Sequence, residues 1–229
     1  MIPFLGPTDP FPPVAEALDE PDGLLAAGAD LTPGRLIDAY RHGVFPWFNE
    51  GDPILWWSPD PRIVLAPGAF HVSHSLKKRL KQRRFTVTID TAFTAVLDEC
   101  AVPRPDDGGT WLSAPMKEAY LALHRQGLAH SLEVWMDGAL AGGVYGVALG
   151  RMFFGESMFS RRTDASKIAL ARLAAQLARW GFPWIDCQLE TEHLLTLGAT
   201  AVPRRVFVAE VARLVRQPAP RWQLDADLG

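Results

Sequence analysis

The fold is decided by residues 131–160, which read SLEVWMDGALAGGVYGVALGRMFFGESMFS. Three largely apolar segments are separated by two turns, at Asp137-Gly138 and at Gly150-Arg151. Segments with a period of two indicate strands, and an Asp-Gly pair between them favours a tight hairpin turn. The stretch therefore predicts a three-stranded antiparallel meander with strands over 131–136, 140–149 and 152–160.

A helix and one further strand follow this meander. Asp164 opens a segment with an apolar stripe over 170–177, and Gly181 ends it, which predicts an amphipathic helix. Residues 184–189 read WIDCQL and predict a strand that returns beside the meander. Antiparallel strands, a helix and a strand form the central unit of the N-acetyltransferase-like fold, which binds an acyl donor where two neighbouring strands splay. We therefore expect an α+β protein with an N-acetyltransferase-like C-terminal domain.

The first sixty residues have a different character. They are rich in Pro and Gly and carry the aromatic runs 45–48 and 55–57, which predict short strands and tight turns. Thr32 as a cap, Pro33 in the first turn and Gly43 as a terminator predict one short helix. We expect a small mixed N-terminal domain over residues 1–62 and a catalytic domain over residues 63–229.

The charges are unevenly distributed along the chain. The formal net charge is -3, yet residues 1–60 hold 10 acids and 2 bases, while the remainder holds 16 acids and 21 bases. Six of these bases, called here the basic window, fall within eight residues that contain no acid: Lys77, Lys78, Arg79, Lys81, Arg83 and Arg84. Such a cluster is the electrostatic footprint of a polyanion site, and a solvated helix face is the alternative.

Composition limits the classes of protein to which the chain can belong. With 48% hydrophobic residues, the 229-residue chain has enough apolar side chains for a sizeable core. The start, MIPFLGP, lacks the basic segment of a secretory signal, and no apolar run reaches the roughly 20 residues of a membrane helix. Cys100 and Cys187 are too far apart for a C-x-x-C motif, so we expect two buried thiols in a cytoplasmic protein.

Two carboxylates interrupt otherwise apolar strands. Glu156 lies in the third strand of the meander and Asp186 in the strand that follows the helix. A period of two places Asp186 with Gln188 on one face, and Glu156 with Met158 and Ser160 on one face. Burying a carboxylate costs several kcal/mol unless it is paired or hydrogen-bonded, so the two acids predict a functional site. Two structural acids are the alternative.

The start of the predicted helix bears on the acyl donor. In acetyl-CoA enzymes of this fold, a glycine-rich turn holds the pyrophosphate at the helix N-terminus. Residues 160–167 read SRRTDASK, without glycine, and Asp164 would repel a phosphate. The sequence therefore argues against CoA as the donor.

Several motifs together resemble one bacterial family, the leucyl/phenylalanyl-tRNA-protein transferases. They are FPWF at 45–48, GDPILWWSPDPR at 51–62, GGTW at 108–111, HSLEVW at 130–135, GESMFS at 155–160 and IDCQ at 185–188. The resemblance extends in the same order from about residue 21 to about residue 205. It implies a monomeric enzyme that moves Leu, Phe or, less well, Met from aminoacyl-tRNA to proteins that begin with Lys or Arg, creating a signal for N-end rule degradation. It also implies that no ATP, metal, CoA or membrane takes part.

The resemblance also implies substrate-binding residues. Trp47 and Trp111 correspond to the aromatic side chains that hold the terminal adenosine of the tRNA, and base stacking suits this role. The side chain of the donated amino acid is expected in an apolar pocket, where an adaptable Met accepts both branched and aromatic groups. The residues expected around it are Val144, Phe153, Met158, Ser160, Leu170, Leu173 and Ile185. Val144 and Leu173 replace larger or more aromatic family residues, which leaves the preference between Leu and Phe open.

The expected chemistry is aminolysis of an activated ester. Asp186 is expected to accept or relay the proton of the attacking amine, or only to position it, and Gln188 to orient that amine. Glu156 is expected to hold the α-ammonium of the donated amino acid or the basic N-terminal residue of the acceptor, and the basic window to contact tRNA phosphates. A thiol acyl-enzyme at Cys187, with His193 as base, is disfavoured because the period of two directs Cys187 away from Asp186. A CoA-dependent N-acyltransferase and a non-enzymatic RNA-binding protein remain open alternatives.

Overall fold

Two sheets organise the protein, for which a computed structural model describes residues 1–103 and 111–229. The smaller sheet has the strand order β1-β2-β4-β3. Its strands are β1 (Phe4–Leu5), β2 (Leu24–Gly28), β3 (Phe45–Pro46) and β4 (Leu55–Trp57). The larger sheet is built from β5 (Arg62–Leu65), β6 (Thr86–Ile89), β7 (Ala129–Met136), β8 (Ala139–Leu149), β9 (Met152–Ser160), β10 (Ile185–Gln188) and β11 (Thr200–Val202). Its order is β11-β5-β10-β9-β8-β7-β6.

Helices pack on the larger sheet. The described residues include α1 (Pro33–Arg41), α2 (His74–Gln82), α3 (Phe93–Cys100), α4 (Ala114–Arg125), α5 (Ala165–Arg179), α6 (Glu192–Thr196) and α7 (Arg204–Leu214). The predicted short N-terminal helix is confirmed as α1, because the Thr32 side chain accepts a hydrogen bond from Arg35 N and Gly43 follows the helix at φ +73°. Within 1–103 and 111–229, no helix has the length and apolarity needed to cross a membrane.

The predicted meander is confirmed. Strands β7, β8 and β9 pair antiparallel in sequence order, and β10 then pairs parallel to β9 after the crossover through α5. Helix α5 lies close to the sheet at Gly142, where an added Cβ would stand 2.6 Å from the Cβ of Ala165. The fold is therefore α+β, with the N-acetyltransferase-like arrangement of strands and helix that the sequence predicts.

The predicted alternation in β9 is wrong beyond Glu156. Gly146 pairs with Gly155 and Tyr145 with Ser157, so Glu156 is an extra residue in a β-bulge. One extra residue reverses the facing of every side chain after it. Met158 consequently packs on the opposite face from Glu156 rather than beside it.

The two faces of the sheet carry different cores. On the face that contains Tyr145 and Phe154, side chains pack against α1, α3, α4, α7 and the smaller sheet. On the other face, side chains such as Val144 and Phe153 pack against α5 and Leu76 of α2. Both cores converge on the segment where β9 and β10 lie side by side.

Candidate active site

The strands β9 and β10 separate at the position of the predicted site. Their paired residues are Ile185 with Phe153 and Asp186 with Phe154. Glu156 and Gln188 each lie two residues beyond the last pair, so both stand where the strands splay. The structure thus brings the three predicted catalytic residues to one notch in the sheet.

Asp186 is held by a buried arginine on the neighbouring strand β5. Arg62 Nε donates to Asp186 Oδ1 and Arg62 Nη2 donates to Asp186 Oδ2, each at 2.7 Å. Both residues are 0% exposed. The guanidinium also donates to the carbonyl oxygen of Gly43 and lies between the rings of Phe45 and Phe207, at 4.7 and 4.6 Å from their centres. A planar guanidinium is suited to this two-point contact with a carboxylate.

Gln188 depends on Asp186 for its backbone conformation. Its backbone N–H donates to Asp186 Oδ1 at 3.0 Å, and its φ of +56° lies in the left-handed region. The pairing of β10 with β5 shifts between Asp186 and Gln188, so the regular alternation ends there. The side-chain nitrogen of Gln188 is buried and has no hydrogen-bond partner in the part of the chain that the structure describes. A buried amide nitrogen without a partner is unusual, which makes Gln188 a candidate for binding a substrate group.

Glu156 is held by two tyrosines. Tyr40 of α1 donates its hydroxyl to Glu156 Oε1 at 2.6 Å, and Tyr120 of α4 donates to Glu156 Oε2 at 2.7 Å. The tyrosines are buried, whereas Glu156 is partly exposed. Removal from water raises the pKa of the Glu156 carboxyl from 4.5 to about 7, although both tyrosine hydrogen bonds oppose that shift.

The predicted pocket residues lie mainly on the other face of the sheet. Five of them are buried members of one core cluster: Val144, Phe153, Leu170, Leu173 and Ile185. Met158 packs against this cluster, and it does so because of the bulge at Glu156. The acids and the apolar residues therefore occupy opposite faces that meet where β9 and β10 part.

Ser160 lies apart from that cluster. It is the last residue of β9 and is exposed. Its hydroxyl donates to the carbonyl oxygen of Arg162 at 2.8 Å and accepts a hydrogen bond from Ser166 N at 3.3 Å. In this arrangement Ser160 supports the start of α5.

Of the two predicted adenosine-binding tryptophans, Trp111 adjoins Glu156 through the ring of Tyr120, whereas Trp47 packs against Trp57. Trp47 is 44% exposed and meets the Trp57 ring edge-on at 5.6 Å. Trp111 is half-buried and meets the ring of Tyr120 at 6.4 Å and 87°. Residues 108–110 of the predicted GGTW motif lie outside the described residues.

Four residues of the basic window lie on α2, and Arg83 and Arg84 lie in the segment after it. All six side chains are exposed, and Leu76 anchors the helix in the core. Arg79 lies 3.5 Å from Asp164, the residue that caps α5. A cavity of about 520 Å³ beside the helix is lined by His74, Lys77, Lys78, Lys81 and Gln82. Most of its lining surface is apolar, so the case for an anionic ligand rests on the positive charge of the three lysines.

The geometry gives little support to the alternative based on Cys187. Burial raises the pKa of the Cys187 thiol, which disfavours the nucleophilic thiolate. The sulfur lies 3.7 Å from the carbonyl oxygen of Ile185. Among residues 1–103 and 111–229, no three His, Cys, Asp or Glu side chains are grouped so that they could hold a metal ion.

Comparison with known proteins decides the family. A family model described as leucyl/phenylalanyl-tRNA protein transferase matches residues 64–212, and the model of that family's N-terminal domain matches residues 29–60. Proteins named leucyl/phenylalanyl-tRNA–protein transferase are 57% identical in Aromatoleum aromaticum, over 98% of this chain and 96% of that protein, and 56% identical in Nitrosomonas europaea, with the same coverage. The chain belongs to the leucyl/phenylalanyl-tRNA–protein transferase family. It is accordingly an aminoacyltransferase, as the sequence predicts.

Solved structures similar to this transferase are more distant. A GCN5-related N-acetyltransferase from Kribbella flavida has 14% sequence identity and a TM-score of 0.38, over 74% of this chain and 60% of that one. The structure titled L-PGS from Bacillus licheniformis has 11% identity and a TM-score of 0.39, over 65% and 48%.

Three residues of the transferase site were missed by the sequence reasoning. Arg62 directly precedes the apolar run Ile63-Val64-Leu65, and a base at the head of a buried strand is a signal that an acid must pair with it. Tyr40 and Tyr120 lie on apolar helix faces, where the sequence pattern does not distinguish them from ordinary core residues. A buried tyrosine hydroxyl nevertheless requires a partner, and that requirement could have directed attention to Glu156.

Proposed function

We propose that this transferase moves Leu or Phe, and less well Met, from aminoacyl-tRNA to the α-amino group of proteins that begin with Lys or Arg. The product would carry a new N-terminal residue that marks the protein for N-end rule degradation. The observation that carries the proposal is the notch between β9 and β10, which joins Glu156, Asp186 and Gln188 to an apolar cluster in a chain of this family.

The donor would be held at three places. Trp47 and Trp111 would stack on the terminal adenosine, at roughly 1 to 3 kcal/mol for each base. The apolar side chain of Leu or Phe would enter the cluster around Phe153 and Ile185, where Met158 adapts to its shape. The basic window would contact phosphates of the acceptor stem, which adds affinity without base specificity. Ser160, by supporting the start of α5, would act on this pocket from its edge.

Catalysis would rest chiefly on positioning. The donor is an activated ester, and an α-amine has a pKa of about 7.7 to 8.0, so part of it is neutral at pH 7. Proximity alone supplies on the order of 7 to 11 kcal/mol in favourable intramolecular reactions. The enzyme therefore needs to bring the amine to the ester carbonyl and to manage one proton.

Asp186 and Gln188 would act together on the attacking amine. Arg62 already occupies both oxygens of Asp186, and the carboxylate is buried. This geometry favours positioning over direct acceptance of the proton, because Asp186 fixes the backbone of Gln188. Gln188 would then orient the amine through its side-chain oxygen, because an amide nitrogen only donates. Glu156, which is partly exposed, would hold a cationic group of the substrate through a charge-assisted hydrogen bond.

The proposed setting follows from the same chemistry. We place the enzyme in the cytoplasm as a monomer that uses no cofactor, with a small N-terminal domain over residues 1–62 and the catalytic domain over residues 63–229. The two family models, which divide between residues 60 and 64, support that boundary.

The deciding experiment is a transfer assay with radiolabelled leucine charged on tRNA and an acceptor protein that begins with Arg. We expect label on the acceptor without added ATP or CoA. In a parallel assay radiolabelled acetyl-CoA replaces the leucyl-tRNA, and label on the acceptor in that assay alone would indicate a CoA-dependent acyltransferase instead. Binding of tRNA without any transfer would indicate an RNA-binding protein.

A further inference from the structure

Three oxygen-bearing side chains form a closed triangle at the notch. Tyr40 lies 2.6 Å from Glu156 Oε1, Tyr120 lies 2.7 Å from Glu156 Oε2, and the two hydroxyl oxygens are 3.1 Å apart. All three contacts are within hydrogen-bond distance. The residues come from α1, α4 and β9, so three separate elements converge to build this arrangement.

A count of the available protons shows in which protonation state of Glu156 all three contacts can be hydrogen bonds. With Glu156 ionised, the two tyrosine protons serve two of the three contacts, and the contact between the hydroxyls has none. With Glu156 protonated, the carboxyl donates to one tyrosine, that tyrosine to the other, and the second tyrosine back to the carboxylate. Every contact then carries one proton. The triangle can therefore take up one proton without movement of its heavy atoms.

The surroundings tune this site towards neutral pH. Burial raises the pKa of Glu156 to about 7, and the charge of Asp186 on β10 adds to the increase. The tyrosine hydrogen bonds and the charge of Arg62 on β5 act in the opposite direction. Tyr145 of β8 also faces the group, but its hydroxyl has no hydrogen-bond partner in the described residues. The pKa of such a carboxyl lies within about one unit of the pKa of an α-amine.

We propose that Glu156, backed by Tyr40 and Tyr120, binds the α-ammonium of the acceptor protein and takes its proton during transfer. This inference rests on the proposed function. Glu156 takes one proton from the ammonium and releases it to solvent, which leaves a neutral amine. The amine nitrogen forms a bond to the ester carbonyl carbon, and a second N–H proton passes to Glu156. The bond from that carbon to the ribose oxygen breaks, and the oxygen leaves with the proton that Glu156 returns. One proton is released overall, and Glu156 is ionised again. Glu156 is the catalytic residue, and the tyrosines are positioning residues that act through it.

The dependence of kcat/KM on pH distinguishes this role. If ionised Glu156 deprotonates an ammonium, activity rises through the pKa of Glu156 near 7 and falls again through that of the acceptor amine, which gives a bell-shaped profile. If a neutral amine attacks without Glu156, activity only rises, through the pKa of the amine. A rise without a fall would overturn the proposal.

Three tyrosine variants test the triangle. Tyr40→Phe and Tyr120→Phe each remove one donor to ionised Glu156, so the rising limb should move to higher pH by about one unit or more, and kcat at pH 7 should fall about tenfold. Tyr145→Phe is the matched control, because it deletes a buried hydroxyl that lacks a partner, and its profile should match the wild type. If the Tyr40 and Tyr120 variants fold but the rising limb of their pH profiles stays where it is in the wild type, the role of the triangle is refuted. The same holds if the Tyr145→Phe control shows an equal shift of that limb.

A titration of the Glu156 carboxyl that does not depend on enzyme activity completes the test. The infrared carboxyl signal that is present in the wild type and lost in Glu156→Gln should titrate near pH 7. A signal that is fully ionised by pH 5.5 would overturn the proposal even if the tyrosine variants fail to fold. Wild-type enzyme that transfers leucine but fails these tests refutes only this inference, whereas wild-type enzyme that transfers none refutes the proposed function.

Discussion

The ion pair between Arg62 and Asp186 offers the sharpest perturbation of the site. Arg62→Met removes the two donors to Asp186, the donor to Gly43 and the contacts with two aromatic rings. Among the described residues, it leaves the buried Asp186 with one remaining donor, the backbone N–H of Gln188. Breaking a buried pair in this way costs about 3 to 5 kcal/mol of unfolding free energy, a large share of the 5 to 15 kcal/mol of an ordinary domain.

A double-mutant cycle separates the pair from the packing around it. Asp186→Leu alone leaves the buried guanidinium without its carboxylate and should lower the free energy of unfolding by a similar amount. The combination with Arg62→Met leaves no unpaired buried charge. The double variant should therefore be more stable than the sum of the single effects predicts, by about 3 kcal/mol or more. Urea unfolding at pH 7 measures all four proteins.

The matched control is Arg213→Met, which breaks an exposed pair with Glu210 by the same substitution. It should leave the free energy of unfolding nearly unchanged, because solvent screens an exposed ion pair. Single effects at Arg62 and Asp186 that add to within about 0.5 kcal/mol would show that the two residues do not stabilise each other, and the assignment of Asp186 as the support of Gln188 would fall with them.

Three further outcomes follow from the site. Changing all six residues of the basic window to Ala should raise KM for charged tRNA and flatten its salt dependence, and an unchanged slope would place the tRNA elsewhere. Puromycin, which resembles an aminoacyl-adenosine end, should bind in calorimetry whereas acetyl-CoA should not, because α5 begins at Asp164 without a glycine-rich turn; the reverse order would contradict the donor assignment. Because the folded pKa of Glu156 is raised to about 7, its contribution to stability is complete below about pH 4.5 and is lost as the pH rises through 7. Urea unfolding should therefore show that the free energy of unfolding of the wild type falls by about 3 kcal/mol from pH 5 to pH 8, whereas that of Glu156→Gln does not. An equal pH dependence of the two proteins would refute the raised pKa of Glu156.

Local patterns in the sequence carry most of the fold. Alternation, turn residues and caps act within a few positions of one another, so the meander and helices α1 and α5 could be predicted. The bulge at Glu156 could not, because β9 reads as regular alternation on either side of it. That single extra residue decides which side chains face α5 and which face the tyrosines.

The sequence predicts which acidic residues form the candidate site, but it does not predict which residues bind to them. The acids stand out because charged residues in apolar strands are costly. Their partners do not, since Arg62 lies 124 positions from Asp186, and Tyr40 lies 116 positions from Glu156. Only the folded sheet and its helices bring these residues together, and no local pattern records which base or hydroxyl will meet which acid.

The most direct measurement of the central claim compares two acceptor proteins that differ only in their first residue, Arg in one and Ser in the other. Each is incubated with the enzyme and leucyl-tRNA and then weighed by intact-protein mass spectrometry. We expect the mass of one added leucine on the acceptor that begins with Arg, no addition to the acceptor that begins with Ser, and none when the tRNA is uncharged. No added leucine on either acceptor, or equal addition to both, would contradict it.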